Sequence, residues 1–168
     1  LKHITVSEGN EKYCDIDGVL YNKDKTRLIY YPSNKEVVEY TLPDTVVEIE
    51  RFAFRDCTYL KQITVSGGND HYCDIDGVLY NKDKTRLIYC PSNTEVVKCT
   101  VPDTVVEIEH SAFRDCTYLK EIALPDSVTL VEYGAFYGCT SLEKITIPRG
   151  VGEIGHAVEE PDRSEIYR

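Results

Sequence analysis

The chain has 168 residues and a formal net charge of −10 at pH 7, from 29 Asp and Glu against 19 Lys and Arg. This acidity argues against sequence-independent binding of nucleic acid, which needs clustered cations against phosphate, and it also disfavours an anionic membrane surface. No apolar run approaches the roughly 18 residues that span a bilayer, so we expect no membrane insertion.

Two long repeated units make up most of the chain. Residues 1–59 and 60–118 are identical at 48 of 59 aligned positions, which indicates a duplication. Each unit contains an insertion, at residues 7–41 and again at residues 66–100. The remainder consists of segments of about 23 residues, a period that is typical of a solenoid built from stacked coils.

The insertion predicts a β-hairpin. Two β-prone runs, residues 13–22 and 27–31, are joined by the polar turn Lys-Asp-Lys-Thr. Because side chains alternate along a strand, Val19 and Tyr21 are expected on one face of the outgoing strand, and Leu28 and Tyr30 share a face of the return strand. The second unit repeats the pattern.

An acidic motif opens the hairpin. Asp15-Ile-Asp17-Gly-Val-Leu-Tyr, repeated from Asp74, resembles the first motif of haloacid-dehalogenase-type phosphatases, where the first Asp is the nucleophile and the second a general acid/base. That chemistry needs a buried apolar strand before the motif and a doubly wound domain, and neither fits a repeating 59-residue unit. We therefore expect a turn at these residues and no enzymatic activity.

A calcium loop is the alternative interpretation of the same acids. Calcium needs about six to eight oxygen ligands, and the Val-Leu-Tyr that follows supplies no further side-chain ligand. We expect no metal and no cofactor.

A segment of about 23 residues recurs at residues 42–65, 101–124 and 124–147. Its apolar positions are too widely spaced for an amphipathic helix, so one copy must stack on the next to bury them. Ile63 and Val65 face one way and Thr64 the other, which predicts a strand, and Pro102 and Pro125 are expected to end regular pairing and turn the chain. The ring of Phe113 should fill the coil interior. The recurring positions are Pro43, Val46, Ala53, Phe54, Cys57, Leu60 and Ile63 with their counterparts in both later copies.

The pattern L-P-D-x-V-x-x-I-x-x-x-A-F-x-x-C-x-x-L-x-x-I resembles the BspA-like leucine-rich repeats of surface and secreted proteins from mucosal bacteria and some mucosal protozoa. The resemblance implies a leucine-rich-repeat solenoid of the α/β horseshoe class, rich in β-structure with little helix, in which hairpins are inserted between stacked coils. It also implies extracellular display and protein–protein adhesion, and it implies no catalytic residue.

The whole chain, residues 1–168, is predicted to be one repeat solenoid. Residues 119–146 form a coil without the insertion, and residues 147–168 form a degenerate last coil whose charged residues 159–165 are expected to be a cap or a frayed tail. Because the chain starts in mid-coil at Leu1, without Met or a signal-peptide core, we expect it to be a piece of a longer array.

Cysteines recur in register, whereas histidines do not. Cys57, Cys116 and Cys139 share one coil position and are expected to form a ladder of buried thiols, and the absence of any C-x-x-C pair argues against zinc. The pairing of Cys14 and Cys73, which also keep register, stays open. The histidines are interpreted as surface substitutions; they are His3, His71, His110 and His156.

Cys90 and Cys99 replace Tyr31 and Tyr40 of the first unit while their surroundings stay almost unchanged. If residues 86–90 and 96–99 run antiparallel, the two Cys lie opposite each other within the range that a disulfide accepts. We predict that bond, which also fits an oxidising, extracellular compartment. The alternative is two independent substitutions that leave free thiols.

The expected function is a cell-surface or secreted module that holds a protein partner, with a host extracellular protein as one candidate. The alternative is a spacer or stalk without its own ligand, and an uncapped end also predicts end-to-end self-association. Two surfaces compete for the partner: the hairpin, with Tyr21, Tyr30 and Tyr80, and the outward positions of the parallel strands, which we favour by analogy of fold. Those outward positions are Lys61, Gln62, Thr64, Lys120, Glu121, Ala123, Glu143, Lys144 and Thr146.

Overall fold

The computed structural model describes residues 1–155, which form fifteen short strands and no helix, and hence no helix that is long and apolar enough to cross a membrane. His156 and the charged residues 159–165 lie outside the described residues. The first unit contains β1 (Tyr13–Ile16), β2 (Val19–Asn22), β3 (Arg27–Tyr30), β4 (Glu39–Leu42) and β5 (Glu48–Ile49). The second contains β6 (Gln62–Val65), β7 (Tyr72–Ile75), β8 (Val78–Asn81), β9 (Arg86–Tyr89), β10 (Lys98–Thr100) and β11 (Glu107–Ile108). The strands after residue 118 are β12 (Glu121–Ala123), β13 (Leu130–Val131), β14 (Lys144–Thr146) and β15 (Glu153–Ile154).

Parallel strands of successive coils line two sides of the solenoid. On one side, the strand face, β4 pairs with β6, and β10, β12 and β14 pair in that order. On the other, the opposite sheet, β3 pairs with β5, and β9, β11, β13 and β15 pair in that order. Most neighbours are 23 residues apart, as for Cys99, Ile122 and Ile145, whereas β5 follows β3, and β11 follows β9, at a spacing of 21 residues. The predicted solenoid of stacked coils is confirmed.

Each insertion forms three strands where the sequence predicted two. The run of residues 13–22 is broken at Asp17 and Gly18, whose φ angles of 49° and 80° make a two-residue turn between β1 and β2. The second turn, residues 23–26, joins β2 to β3 as predicted. The tip of the second hairpin docks on the strand face, because the Gly77 carbonyl accepts a hydrogen bond from Ile63 N–H at 2.9 Å.

The interior is a column of recurring side chains. Ala112 and Phe113 have no exposed surface, and the Phe113 ring stacks on the Phe136 ring with centroids 5.2 Å apart and planes 9° apart. Leu60 and Ile63 are equally buried. The prediction that the Phe113 ring fills the coil interior is confirmed.

The coil that contains the insertion turns its corner with two residues fewer than the next coil. Arg86 pairs with Glu107, and the Val97 carbonyl accepts a hydrogen bond from Lys120 N–H, so the two corners span 97 − 86 = 11 and 120 − 107 = 13 positions. The shorter corner leaves a recess between the longer corners at residues 50–57 and 109–116. We call this recess the notch.

Candidate functional site

The strand face carries the nine side chains that the sequence predicts as partner-contacting, and all nine are exposed. In β6, Gln62 and Thr64 flank Ile63, which is buried; in β12, Glu121 and Ala123 flank Ile122 in the same way. The alternation follows from the period of two in a strand. The predicted exposure is confirmed, whereas a role in binding stays a prediction.

Strand register arranges the outward side chains of β10, β12 and β14 in two rows that run from coil to coil. In the first row Lys98 lies beside Glu121 and Glu121 beside Lys144, so charges of opposite sign alternate, an arrangement that stabilises neighbouring strands. The second row is small and weakly polar, and it contains Thr100, Ala123 and Thr146. One sheet therefore offers both ionic and small contact positions.

An apolar edge that the sequence reasoning missed borders the strand face. Tyr59 and Val97 are 42% and 50% exposed, and exposed apolar surface can mark an interaction site. Hydrogen bonds from Lys61 N–H to the Val38 carbonyl and from Lys120 N–H to the Val97 carbonyl place lysines beside the valines. The signal that could have found the edge is its unchanged repetition in both units. It consists of Val37, Val38, Tyr59, Val96, Val97 and Tyr118.

The hairpin surface, by contrast, is not available as predicted. Tyr21 and Tyr80 are each only 1% exposed and belong to the core, and Tyr30 is half-buried. The Tyr21 hydroxyl is hydrogen-bonded to the Tyr40 hydroxyl. The interpretation of these tyrosines as an exposed contact surface is wrong, because the face that Tyr21 shares with Val19 points inward.

The acidic motif has a structural role. Asp15 Oδ1 accepts a hydrogen bond from Val6 N–H at 2.8 Å, and Asp74 Oδ1 accepts one from Val65 N–H at 2.7 Å. These bonds tie the first hairpin strand to the preceding segment in both units. Among residues 1–155, no group of three or more His, Cys, Asp or Glu side chains is arranged to hold a metal ion.

The cysteines lie inside the coils. Cys57 and Cys116 are buried, as the ladder predicts, but the coil that contains Cys90 lies between them, and Cys139 is only half-buried. Cys90 and Cys99 also neighbour each other: burial and the Cys90 thiol raise the pKa of Cys99 to about 12. Both are free thiols here, and contact with the Cys90 thiol, together with burial, raises the pKa of Cys116.

The reason given for the pairing of Cys90 and Cys99 is wrong, although their proximity is real. β9 and β10 do not run antiparallel to each other; they belong to different sheets, and Cys99 packs against the core cluster that contains Cys90. In the first unit the Tyr31 and Tyr40 rings make that contact, with centroids 5.1 Å apart. The disulfide itself stays a prediction.

The notch is a second candidate site that the sequence did not predict. It encloses a cavity of about 230 Å³. Its floor is apolar, with Ile49 and Ile88, and with the Tyr89 ring stacked on the Phe54 ring at 4.9 Å. The sequence feature that could have indicated the notch is the corner of residues 86–97, which is two residues shorter than that of residues 107–120. The difference is visible only when these two segments are aligned.

Ion pairs span the notch or lie along its rim. Side chains of the two longer corners reach across the shorter one, so charged groups from different coils meet. Their closest nitrogen–oxygen distances are 3.6 Å for Arg51 and Glu132, 3.1 Å for Arg86 and Glu109, and 3.4 Å for Arg114 and Asp56.

Two titratable groups in the notch are strongly shifted. Burial raises the pKa of Glu109 to about 7, although the Arg86 guanidinium opposes the rise. Burial lowers the pKa of His110 to about 4, and the Arg51 charge adds to that effect. The interpretation of His110 as a surface substitution is wrong: its half-buried ring lies between Phe52 and Tyr133, at 4.9 and 5.7 Å between centroids.

A family model described as "BspA type Leucine rich repeat region" matches residues 29–74 and 87–158 in six copies. No curated protein sequence matches the chain significantly. Solved structures do. The pneumococcal vaccine antigen PcpA is 32% identical with a TM-score of 0.67, over 76% of this chain and 30% of that one.

Two further solved structures are similar. A leucine-rich cell surface protein of Faecalibacterium prausnitzii A2-165 is 31% identical with a TM-score of 0.67, over 75% of this chain and 34% of that one. A leucine-rich repeat protein of Eubacterium ventriosum ATCC 27560 is 25% identical with a TM-score of 0.56, over 67% and 37% of the two chains. This chain thus spans about a third of the length of the structures it matches.

Proposed function

Because this chain belongs to the BspA-type leucine-rich repeat family, we propose that it is an extracellular protein-binding module, displayed on a cell surface or secreted, that holds its partner against the strand face. Repeat solenoids generally act as binding scaffolds, since stacked coils present one extended surface. The similarity to a Faecalibacterium cell surface protein and to a pneumococcal vaccine antigen supports this location.

The observation that carries the proposal is the exposed parallel sheet of β10, β12 and β14 with the apolar edge beside it. Protein interfaces combine an apolar centre with a polar rim, and the combination of Tyr59, Val97 and flanking lysines has that composition. Each 59-residue unit repeats the apolar edge once, so neighbouring units can engage a partner together.

A capture experiment tests the proposal. The chain is immobilised and exposed to host extracellular proteins, in parallel with a variant in which Thr64→Arg and Ala123→Arg place long charged side chains on the strand face. Thr129→Arg, an exposed position beside β13 on the opposite side, is the matched control. We expect the wild type and the control to retain a protein that the strand-face variant loses.

The spacer alternative makes the opposite prediction. A stalk without its own ligand would retain nothing specifically, and all three baits would give the same background. Sedimentation of the free chain at rising concentration separates end-to-end self-association from partner binding, because a self-associating chain would change its mass without any other protein.

A further inference from the structure

We propose that the notch receives an arginine side chain of a protein partner, at a second binding site distinct from the strand face. The cavity of about 230 Å³ is smaller than the roughly 300 to 1,000 Å³ of ordinary small-molecule pockets, so one side chain is the occupant that fits its size.

The walls of the notch match the two parts of an arginine side chain. Ile49, Ile88 and the Tyr89 ring give the aliphatic stem an apolar surface. The planar guanidinium stacks on aromatic rings. The chain already makes such contacts, since the Arg55 guanidinium lies 5.6 Å from the Phe52 ring centroid and the Arg114 guanidinium 4.3 Å from that of Tyr137.

The charges around Glu109 favour an incoming cation. Among the charged residues that line the notch, carboxylates outnumber guanidiniums by one: Glu50, Asp56, Glu109, Asp115 and Glu132 against Arg51, Arg55, Arg86 and Arg114. An anion would add to that excess, whereas a guanidinium would neutralise it and could bond to the carboxylates directly. The net charge of −10 also attracts basic partners.

The substitution between the two units explains the excess. His110 of the second unit stands where the first unit has Arg51. The pKa of His110 is lowered to about 4, so the ring is neutral at pH 7 and that wall of the notch lacks the cation that a second Arg would supply. Because Arg51 and His110 both line the cavity, the change leaves the notch with one cation fewer than two Arg walls would give.

Nuclear magnetic resonance titration of the full chain tests the proposal. The probe is an arginine residue blocked at both ends, and the matched control is blocked citrulline, which has the same length but a neutral head. Blocked arginine should perturb Ile49 and Ile88 saturably, and citrulline should bind at least about 10-fold more weakly. Binding should tighten from pH 6 to 8 as Glu109 ionises, while His110 stays neutral and Arg51 and Arg86 stay charged.

Variants locate the site. Glu109→Gln should weaken the binding of blocked arginine about 10-fold, whereas Glu8→Gln, which removes the same charge at an exposed loop far along the chain, should leave it unchanged. Equal binding of citrulline to the wild type overturns the proposal even if the Glu109 variant fails to fold. Three other results would also overturn the proposal. They are equal weakening by both variants, perturbations outside the notch, and equally tight binding of guanidinium ion alone.

Discussion

The ring of Phe113 shows how a single residue holds a coil together. It has no exposed surface and stacks on Phe136 in the next coil. Phe113→Ala should therefore lower the free energy of unfolding by roughly 3 to 5 kcal/mol, through lost burial and a residual cavity. Tyr118→Ala, at a ring that is 49% exposed, should cost less than about 1 kcal/mol. Denaturant melts that give similar losses for both would show that Phe113 is not a core residue.

Glu109 and His110 give the protein opposing pH dependences. Glu109 has a pKa of about 7 in the folded chain against 4.5 ordinarily, so the folded state binds more protons and stability falls as pH rises from 4.5 to 7, by up to roughly 3 kcal/mol. His110 has a pKa of about 4 against 6.5, so the unfolded state binds more protons and stability rises between those values, by a smaller amount because the ring is half exposed.

Single substitutions separate the two effects. In melts across pH 4 to 7, Glu109→Gln should lose the falling component, so its stability rises with pH relative to the wild type. His110→Asn should lose the rising component, so its stability falls relative to the wild type. Parallel curves for all three proteins would contradict the assignment of either shift.

At the scale of the element, the hairpin depends on its turn. Gly77 has φ of 79°, and a Cβ there would lie 2.7 Å from Gln62 Cβ. Gly77→Ala should destabilise the protein by roughly 1 to 3 kcal/mol, because strain and the contact with β6 act together. Gly67→Ala adds a Cβ with nothing within 4 Å and should stay within about 0.5 kcal/mol. Equal thermal midpoints for the two variants would rule out the docked turn.

The predicted disulfide would link Cys90, directly after β9, to Cys99 in β10. Cys90 and Cys99 occupy the positions of Tyr31 and Tyr40, whose rings touch in the first unit, and a bond there should add roughly 2 to 3 kcal/mol on the chain-entropy model. Thiol titration of unreduced, denatured protein should find five free groups of the seven cysteines. Peptide mapping must then locate the bond, since Cys116 also contacts Cys90. Seven free groups would refute the bond.

At the scale of the whole molecule, the repeat pattern of the sequence predicts the individual coils but not the contacts between them. Pro43, Phe54 and Leu60 recur with the coil period, so stacking, the strand face and the core residues follow from the sequence alone. Strand alternation places Tyr21 on the same face as Val19 but does not by itself say which face points inward. The apolar Val19 side chain on that face indicates that it is the buried one.

The remaining errors come from contacts between coils. The turn around Pro91 looks like a local antiparallel hairpin, yet β9 and β10 each pair with other coils, which the local sequence does not encode. The notch depends on corners that are not adjacent in the chain. His110 looked like a surface substitution for the same reason, since its partners Phe52 and Tyr133 lie 58 and 23 positions away (110 − 52 and 133 − 110).

The most direct measurement is the dissociation constant of the captured partner for the wild type, for the Thr64→Arg and Ala123→Arg variant, and for Thr129→Arg. If the strand face holds the partner, the double variant should bind at least about 100-fold more weakly, because long charged side chains prevent close contact across the sheet, and the control should match the wild type. Equal dissociation constants for all three proteins would contradict binding through the strand face.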